Sequence, residues 1–321
     1  MKKIVCLVIF LTLILSVFSG CNTEKNTQLN SDRLSIVTTI FPYYDFTVNI
    51  VGDKADVKLL LSPGAEPHDY DASPSDIVAI ENCDIFIYNG GESDEWVDGI
   101  IESLENKSVK FIRMMDYIEP LCSDSHNHNE HNEHNHNERN EHPHEHEFDE
   151  HIWTSVNNAK KFVDVISENA QTYDINNAKL YLSNTEKYIA KLSALDDEFK
   201  SIMSHSQRDT IVLGDRFPLR YLANDYGIKY EAAFSGCNSE TQPGISTITH
   251  LIDFVRDNNI PVVIYLDFSS GNIAKLLCED SNAVSKKMWS CHNLTKSEFE
   301  NGANYISLMK ENTKVLREAL F

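Results

Sequence analysis

Histidine is the residue type through which this chain could do chemistry, and its 13 copies form two populations. Eight of the 13 (His126, His128, His131, His134, His136, His142, His144 and His146) sit within one short stretch, alternating with asparagine and glutamate. Among the others, three stand in loops or at helix starts beside strand-like runs: His68 in Ser62-Pro-Gly-Ala-Glu-Pro-His-Asp-Tyr70, His151 in Asp149-Glu-His-Ile-Trp153, and His292 in Ser290-Cys-His-Asn293. Asp215, in Leu213-Gly-Asp-Arg-Phe217, occupies the same kind of place. A single loop histidine is ordinarily a solvated or capping residue; it is the set that points to chemistry. Three imidazoles and one carboxylate make a nitrogen-rich ligand set, suited to Zn2+ in a tetrahedral site with bonds of about 2.0–2.1 Å. Other late transition metals also accept imidazole, whereas Mg2+ and Ca2+ prefer oxygen shells. Four protein ligands with no open position favour holding a metal over catalysis with it. Glu240 and Asp267 are the reserve carboxylates.

The elements that must position these residues alternate. Leu34–Ile40, Val57–Leu61, Asp84–Tyr88 and Val109–Arg113 read as strands, separated by helices from Pro42, from Pro74 and from Trp96. After the histidine-rich stretch come a helix over Ser155–Ala170 and a long proline- and glycine-free helix from Asn176 to about Met203. Its apolar stripe comprises Leu180, Ile189, Leu192, Leu195, Phe199 and Ile202. Alternation then resumes, with strands at Thr210–Leu213, Lys229–Phe234, Pro261–Leu266 and Lys287–Ser290 and a final helix over Phe299–Leu320. The expected fold is α/β: two lobes, each a parallel four-stranded sheet flanked by helices, joined by one long connecting helix. The boundaries expected are 33–173 for the first lobe, 174–205 for the connector and 206–321 for the second lobe. In open parallel sheets ligands bind beyond the carboxyl ends of the strands, where His68, Asp215 and His292 fall.

Composition narrows the partners. With 28 basic and 49 acidic side chains the net charge is −21, which excludes the basic face that nucleic acid requires and suits a cationic cargo. Met1-Lys-Lys3 followed by the apolar run Ile4–Phe18 reads as a secretory signal over residues 1–20, too short to span a bilayer at about 20 residues. Residues 21–32 are polar and read as a tether. Residues 124–148 hold the histidine-rich run, which has nothing apolar to pack and is expected to be a disordered loop of weak, exchangeable metal sites. Removal of the signal leaves Cys83, Cys122, Cys237, Cys278 and Cys291 besides Cys21, an odd number that cannot all pair internally. Cys237 and Cys291 both follow second-lobe strands and are expected as a disulfide pinning the His292 loop; the alternative is that either sulfur is a thiolate ligand.

Several segments resemble one family. Pro63-Gly-Ala-Glu-Pro-His68-Asp-Tyr-Asp-Ala-Ser-Pro-Ser-Asp76 resembles the first metal-ligand motif of the zinc/manganese solute-binding proteins of bacterial ABC importers. Asp149-Glu-His151-Ile-Trp153 resembles the second, Glu240-Thr-Gln-Pro-Gly244 a stretch preceding a second-lobe helix, and Tyr226-Gly227 the helix end after the third ligand. Ser19-Gly-Cys21 resembles a lipobox, with Phe18 where leucine is usual, which implies that Cys21 carries a lipid. The chain departs from the family where a third histidine or glutamate ligand is usual, offering Asp215, and where a late aspartate is usual, offering His292.

The resemblance implies an extracytoplasmic, high-affinity zinc receptor that is not an enzyme. It would be lipid-anchored on the outer face of the bacterial cell membrane, monomeric, and would deliver its metal to an ABC permease. Manganese is the alternative metal. An extracellular zinc metalloenzyme is a distant alternative, since no His-Glu-x-x-His or Gly-x-Ser-x-Gly pattern is present. An adhesin role would leave no mark on individual residues.

Overall fold

The computed structural model describes residues 33–104, 108–122, 148–234 and 243–321. The signal, Cys21, the tether, the eight clustered histidines, Cys237 and Glu240 lie outside the described residues.

The β-branched run at the start of the first lobe forms β1 (Ser35–Thr38), buried along nearly its whole length. Pro42, whose fixed φ suits a first turn, sits inside the start of α1 (Phe41–Val51). Then follow β2 (Asp56–Leu59), α2 (Pro74–Glu81), β3 (Ile85–Tyr88), α3 (Trp96–Ser103) and β4 (Lys110–Arg113). All pair in parallel in the order β2-β1-β3-β4. All four residues of β3, Ile-Phe-Ile-Tyr, are buried, as a central strand covered on both faces requires. Ser73 and Ser155 begin helices by accepting the backbone N–H three residues on, Ser73 for α2 and Ser155 for α4 (Val156–Tyr173).

The connector α5 (Ala178–His205) is 28 residues long, about 42 Å at the usual rise. Its buried stripe runs through Tyr181, Thr185, Tyr188, Leu192, Leu195, Phe199 and Ile202. Leu180, expected in that stripe, is exposed; Tyr181 takes the inward position and its hydroxyl donates to Asp174 at 2.6 Å. The second lobe comprises β5 (Thr210–Leu213), α6 (Arg220–Tyr226), β6 (Lys229–Ala232), α7 (Ile245–Asp257), β7 (Val262–Leu266), α8 (Asn272–Cys278), β8 (Val284–Met288), α9 (Lys296–Glu300) and α10 (Tyr305–Leu320). Its parallel sheet has the order β6-β5-β7-β8, the same arrangement as the first.

Two elements differ from the sequence reading. The last strand starts at Val284 rather than Lys287, because all five residues of β7 pair with it, Val262 with Val284 through Leu266 with Met288. Trp289 and Ser290 leave the ladder because their N–H groups donate to Asn312 Oδ1 and Asp267 Oδ1, at 2.8 and 2.9 Å. The expected single final helix is two. Gly302 takes φ +76°, and Asn304 caps α10 with Ser307 in a reciprocal capping box.

One apolar core runs through both lobes. It includes Tyr43, Phe46, Trp153, Phe162, Leu192, Phe199, Ile264, Tyr305 and Met309. Helix α5 packs on α1 and α4 from the first lobe and on α6 and α10 from the second. Fully burying each large side chain stabilises the fold by about 1.5–3 kcal/mol, so separating the lobes as rigid bodies would be costly. Polar contacts add to the junction: Tyr188 Oη donates to Asp45 at 2.7 Å, Tyr305 Oη to the Trp153 carbonyl at 2.7 Å, and Trp153 Nε1 to the Ser290 carbonyl at 2.9 Å.

Candidate metal centre

Three loops meet above the strand ends. The chain after β2 turns through Gly64, at φ +91°, into a short 3-10 turn, Pro67–Asp69, that carries His68. His151 stands at the entry to the turn Ile152–Thr154, which leads into α4. His292 lies after β8, beyond Cys291, whose φ of +59° places a non-glycine residue in the left-handed region. Asn293, fully buried, ties two of these loops together: its Nδ2 donates to the carbonyls of Ser62 and Ala65 at 3.0 and 2.9 Å. Gly64 N–H returns the connection to the Leu294 carbonyl at 2.8 Å.

His68, His151 and His292 converge so that one donor atom from each lies within 4.8 Å of the others. Their ring centroids are 5.3–5.8 Å apart. The donors of a tetrahedral zinc site lie about 3.4 Å apart for bonds of about 2.0–2.1 Å, so closing on an ion asks for movements of about 1 Å per ring. His151 and His292 are buried and His68 is half-buried. The cluster faces a cavity of about 810 Å³ whose wall includes Glu66, Asp69, Glu92, Glu95, Asp215 and Asp267. Such a concentration of carboxylates attracts cations.

The far nitrogens of two rings are engaged. His151 Nδ1 is 3.0 Å from Asp149 Oδ1, and His68 Nδ1 is 3.2 Å from Ser93 Oγ and 3.5 Å from Glu150 Oε1. Each contact turns Nε2 to the opposite side of its ring. Burial, followed by the neighbouring His151, lowers the pKa of His68; burial with His151 and His68 drives that of His292 well down. Both imidazoles are therefore neutral at neutral pH, the form that binds metal. Burial alone would raise the Asp149 carboxyl, but His151 and Arg220 outweigh it and hold it below the ordinary range.

Asp215, the expected carboxylate ligand, lines the same cavity but does not join the cluster of donors. Its Oδ1 accepts from Arg216 N–H at 2.9 Å and its Oδ2 from Leu266 N–H at 3.3 Å. Asp267 is more buried and accepts from Ser290 N–H and Oγ at 2.9 and 3.3 Å; burial pushes its pKa to about 7. The Cys291 thiol is free and fully buried, and burial raises its pKa well above the ordinary thiol value, which opposes a thiolate. The bridge expected from it to Cys237 has its other half outside the described residues. His205 and His250 are exposed on α5 and α7, away from the cluster.

Sequence reasoning passed over Glu150, Ser93 and Asn293. Glu150 and Asn293 adjoin two of the histidines, but nothing local says that Glu150 reaches His68 or that Asn293 reaches the loop after β2.

Comparison with known proteins finds relatives along nearly the whole chain. A family model described as zinc-uptake complex component A, periplasmic, matches residues 36–319. The zinc-binding lipoprotein AdcA of Streptococcus pneumoniae is 30% identical over 318 residues, 99% of this chain and 61% of that protein. The high-affinity zinc uptake system protein ZnuA of Bacillus subtilis is 30% identical over 308 residues, 96% of this chain and 94% of that protein. The chain thus spans about three-fifths of the length of its streptococcal relatives. Among solved structures, the Zn(II)-bound ZnuA-like domain of the pneumococcal AdcA gives a TM-score of 0.73 at 28% identity, covering 90% of this chain and 99% of that one. The metal-dependent lipoprotein YcdH of Bacillus subtilis gives 0.75 at 27%, covering 90% and 100%.

Proposed function

The chain belongs to the family of periplasmic zinc-uptake components, and from that premise we propose that it is an extracytoplasmic, high-affinity Zn2+ receptor that passes its metal to the permease of an ABC importer. The observation that carries this reading is the convergence of His68, His151 and His292, with donors within 4.8 Å of one another, on a cavity lined by acids. Three imidazole donors suit Zn2+ better than Mn2+, for which carboxylate and water are the more usual ligands. Asp267 is the carboxylate favoured to complete the set, being buried and bonded to Ser290, two residues before His292, though like its competitor Asp215 it stands outside the cluster of donors. With a carboxylate as the fourth donor no open position would remain for a substrate, which favours a binder over an enzyme.

The signal-like N-terminus supports a lipid anchor at Cys21 on the outer face of the membrane, with the protein acting as a monomer. The clustered histidines from His126 to His146 would gather metal loosely near the cleft. The braced junction of the lobes supports loading and release through loop movements rather than wide opening, and half-buried His68 is the ligand nearest solvent.

Zn2+ titration of the purified protein against a competing chelator, repeated with excess Mn2+, tests the reading. Tight binding of one Zn2+ at the cleft, lost in His68→Ala, is expected; a wild-type protein that holds no zinc, or a His68→Ala variant that binds it as before, would overturn the assignment. Affinity should be nearly constant above about pH 7 and fall in acid as the imidazoles protonate. Because burial lowers the pKa of His68 and His292, that fall should lie at more acid pH than for free imidazole.

A further inference from the structure

We propose that Glu150 positions His68 for the metal and places a negative charge behind that ring, an inference that rests on the zinc reading above. Glu150 is buried, and its carboxylate accepts both donors of Ser93, the backbone N–H at 2.9 Å and the hydroxyl. Its Oε1 lies 3.5 Å from His68 Nδ1, and Ser93 Oγ, held by the same carboxylate, lies 3.2 Å from that nitrogen. The backbone is pinned as well, because Asn89 Nδ2 donates to the Glu150 carbonyl at 2.9 Å. The facing chain makes room for this side chain: a Cβ on Gly91, itself at φ +93°, would stand 2.9 Å from Glu150 Cβ and 3.0 Å from Oε2.

Charge separates Glu150 from its neighbour. Asp149 is shared between His151 and Arg220, whose Nε lies 3.3 Å away. Among the described residues no lysine or arginine forms an ion pair with Glu150; the basic side chain it meets is His68. A buried carboxylate is costly without a compensating cation. A dication held by neutral imidazoles brings the complementary charge to the other side of the His68 ring. Carboxylates that take the far N–H of a ligating histidine fix its tautomer and raise its basicity. The tripeptide Asp149-Glu150-His151 thus supplies one ligand, the brace for that ligand, and the brace for a second ligand from a distant loop.

The test measures Zn2+ dissociation constants by chelator competition for the wild-type protein, Glu150→Gln, His68→Ala and the double variant, with metal-free melting and the visible spectrum of the Co2+-loaded protein alongside. Glu150→Gln should weaken Zn2+ binding by about 10–100-fold and shift the Co2+ bands, the range usual for groups behind metal ligands. Its metal-free melting temperature should be unchanged or higher, since a buried charge is gone. In the His68→Ala background the same substitution should change affinity by less than about 3-fold, because neighbours acting through one group are not additive. Should Glu150→Gln fail to melt cooperatively, Glu150→Asp replaces it; that variant keeps the charge and should retain most of the affinity, and a loss as large as that of His68→Ala would count against the proposal. Unaltered affinity in Glu150→Gln, or the same loss in both backgrounds, overturns it. A wild-type protein that binds no zinc sinks the zinc reading and this one together, whereas normal wild-type binding with Glu150→Gln unaffected sinks this one alone.

Discussion

The two sides of the cleft hold their histidines by different means. On the first-lobe side His151 presents Nδ1 to Asp149, and His68 presents Nδ1 to the Ser93 hydroxyl that Glu150 holds, so that both carboxylates come from one short segment. On the second-lobe side His292 is only 4% exposed and lies against Trp153, with ring centroids 4.4 Å apart. Its loop is held by Asp267 on Ser290 and by Asn293 on the loop after β2. Both sides hold a buried histidine with hydrogen-bonded loops; they differ in that His68, on the first-lobe side, is half-buried and faces the cavity, whereas His292 is buried against Trp153.

The largest test of this difference is removal of the two buried histidines proposed as ligands. His151→Ala and His292→Ala should each weaken zinc binding by more than about 100-fold, beyond the ~10–100-fold range expected of groups behind the ligands, in the same chelator competition. A loss at His292 no greater than that at Glu150 would erase the distinction between the two sides. Next is the tie between them. Asn293→Ala leaves the buried carbonyls of Ser62 and Ala65 without their donor and should cost about 2–4 kcal/mol in chemical denaturation. It should weaken zinc binding as well, because the loops carrying His68 and His292 are no longer joined.

A third prediction separates stability from affinity. Asp45 lies at the lobe junction, and burial raises its pKa from 3.8 to about 6 although Tyr188 and Tyr305 donate to it. The folded protein therefore holds that proton more tightly than the unfolded chain. Stability should fall as pH rises from about 4 to about 6, by about 2–3 kcal/mol in all, and this contribution should be constant above that range. Asp45→Asn should flatten that interval in urea titrations of the metal-free protein while leaving the zinc constant at pH 7 within about 3-fold. The smallest expected effect distinguishes the two wall carboxylates: Asp267→Asn, which keeps an oxygen donor and loses only the charge, should weaken zinc binding by about 10-fold and Asp215→Asn by less than about 3-fold, small beside removal of an imidazole. The reverse order would return the fourth position to Asp215.

Local pattern carried much of the architecture. The alternation of β-branched runs with amphipathic helices specified two parallel sheets, since such strands need long crossovers and cover on both faces. The gap of 28 residues without proline or glycine, Asn176 to Met203, marked the connector. Where long-range partners competed with local preference, the pattern failed. Lys287-Met-Trp-Ser290 looks like a strand, yet Trp289 and Ser290 give their N–H groups to Asn312 and Asp267, and β7 takes the less apolar Val284–Met288 instead. The final helix breaks at Gly302 because Asn304 offers a better start than continuation does.

For the site, His68, His151 and His292 were identifiable by residue type and by their place beside strand and helix ends, because the chemistry of imidazole is local to the residue. Their meeting was not, because it depends on two lobes packed on one core and on Asn293 joining loops more than two hundred residues apart in sequence. The same reason hid Glu150. Its identity is written beside His151, but its contact with His68 exists only once the chain has folded and Gly91 and Ser93 have made the space and the hydrogen bonds for it. Sequence by itself determined which side chains are available to bind a metal; tertiary structure decided which of them are brought together, desolvated and braced.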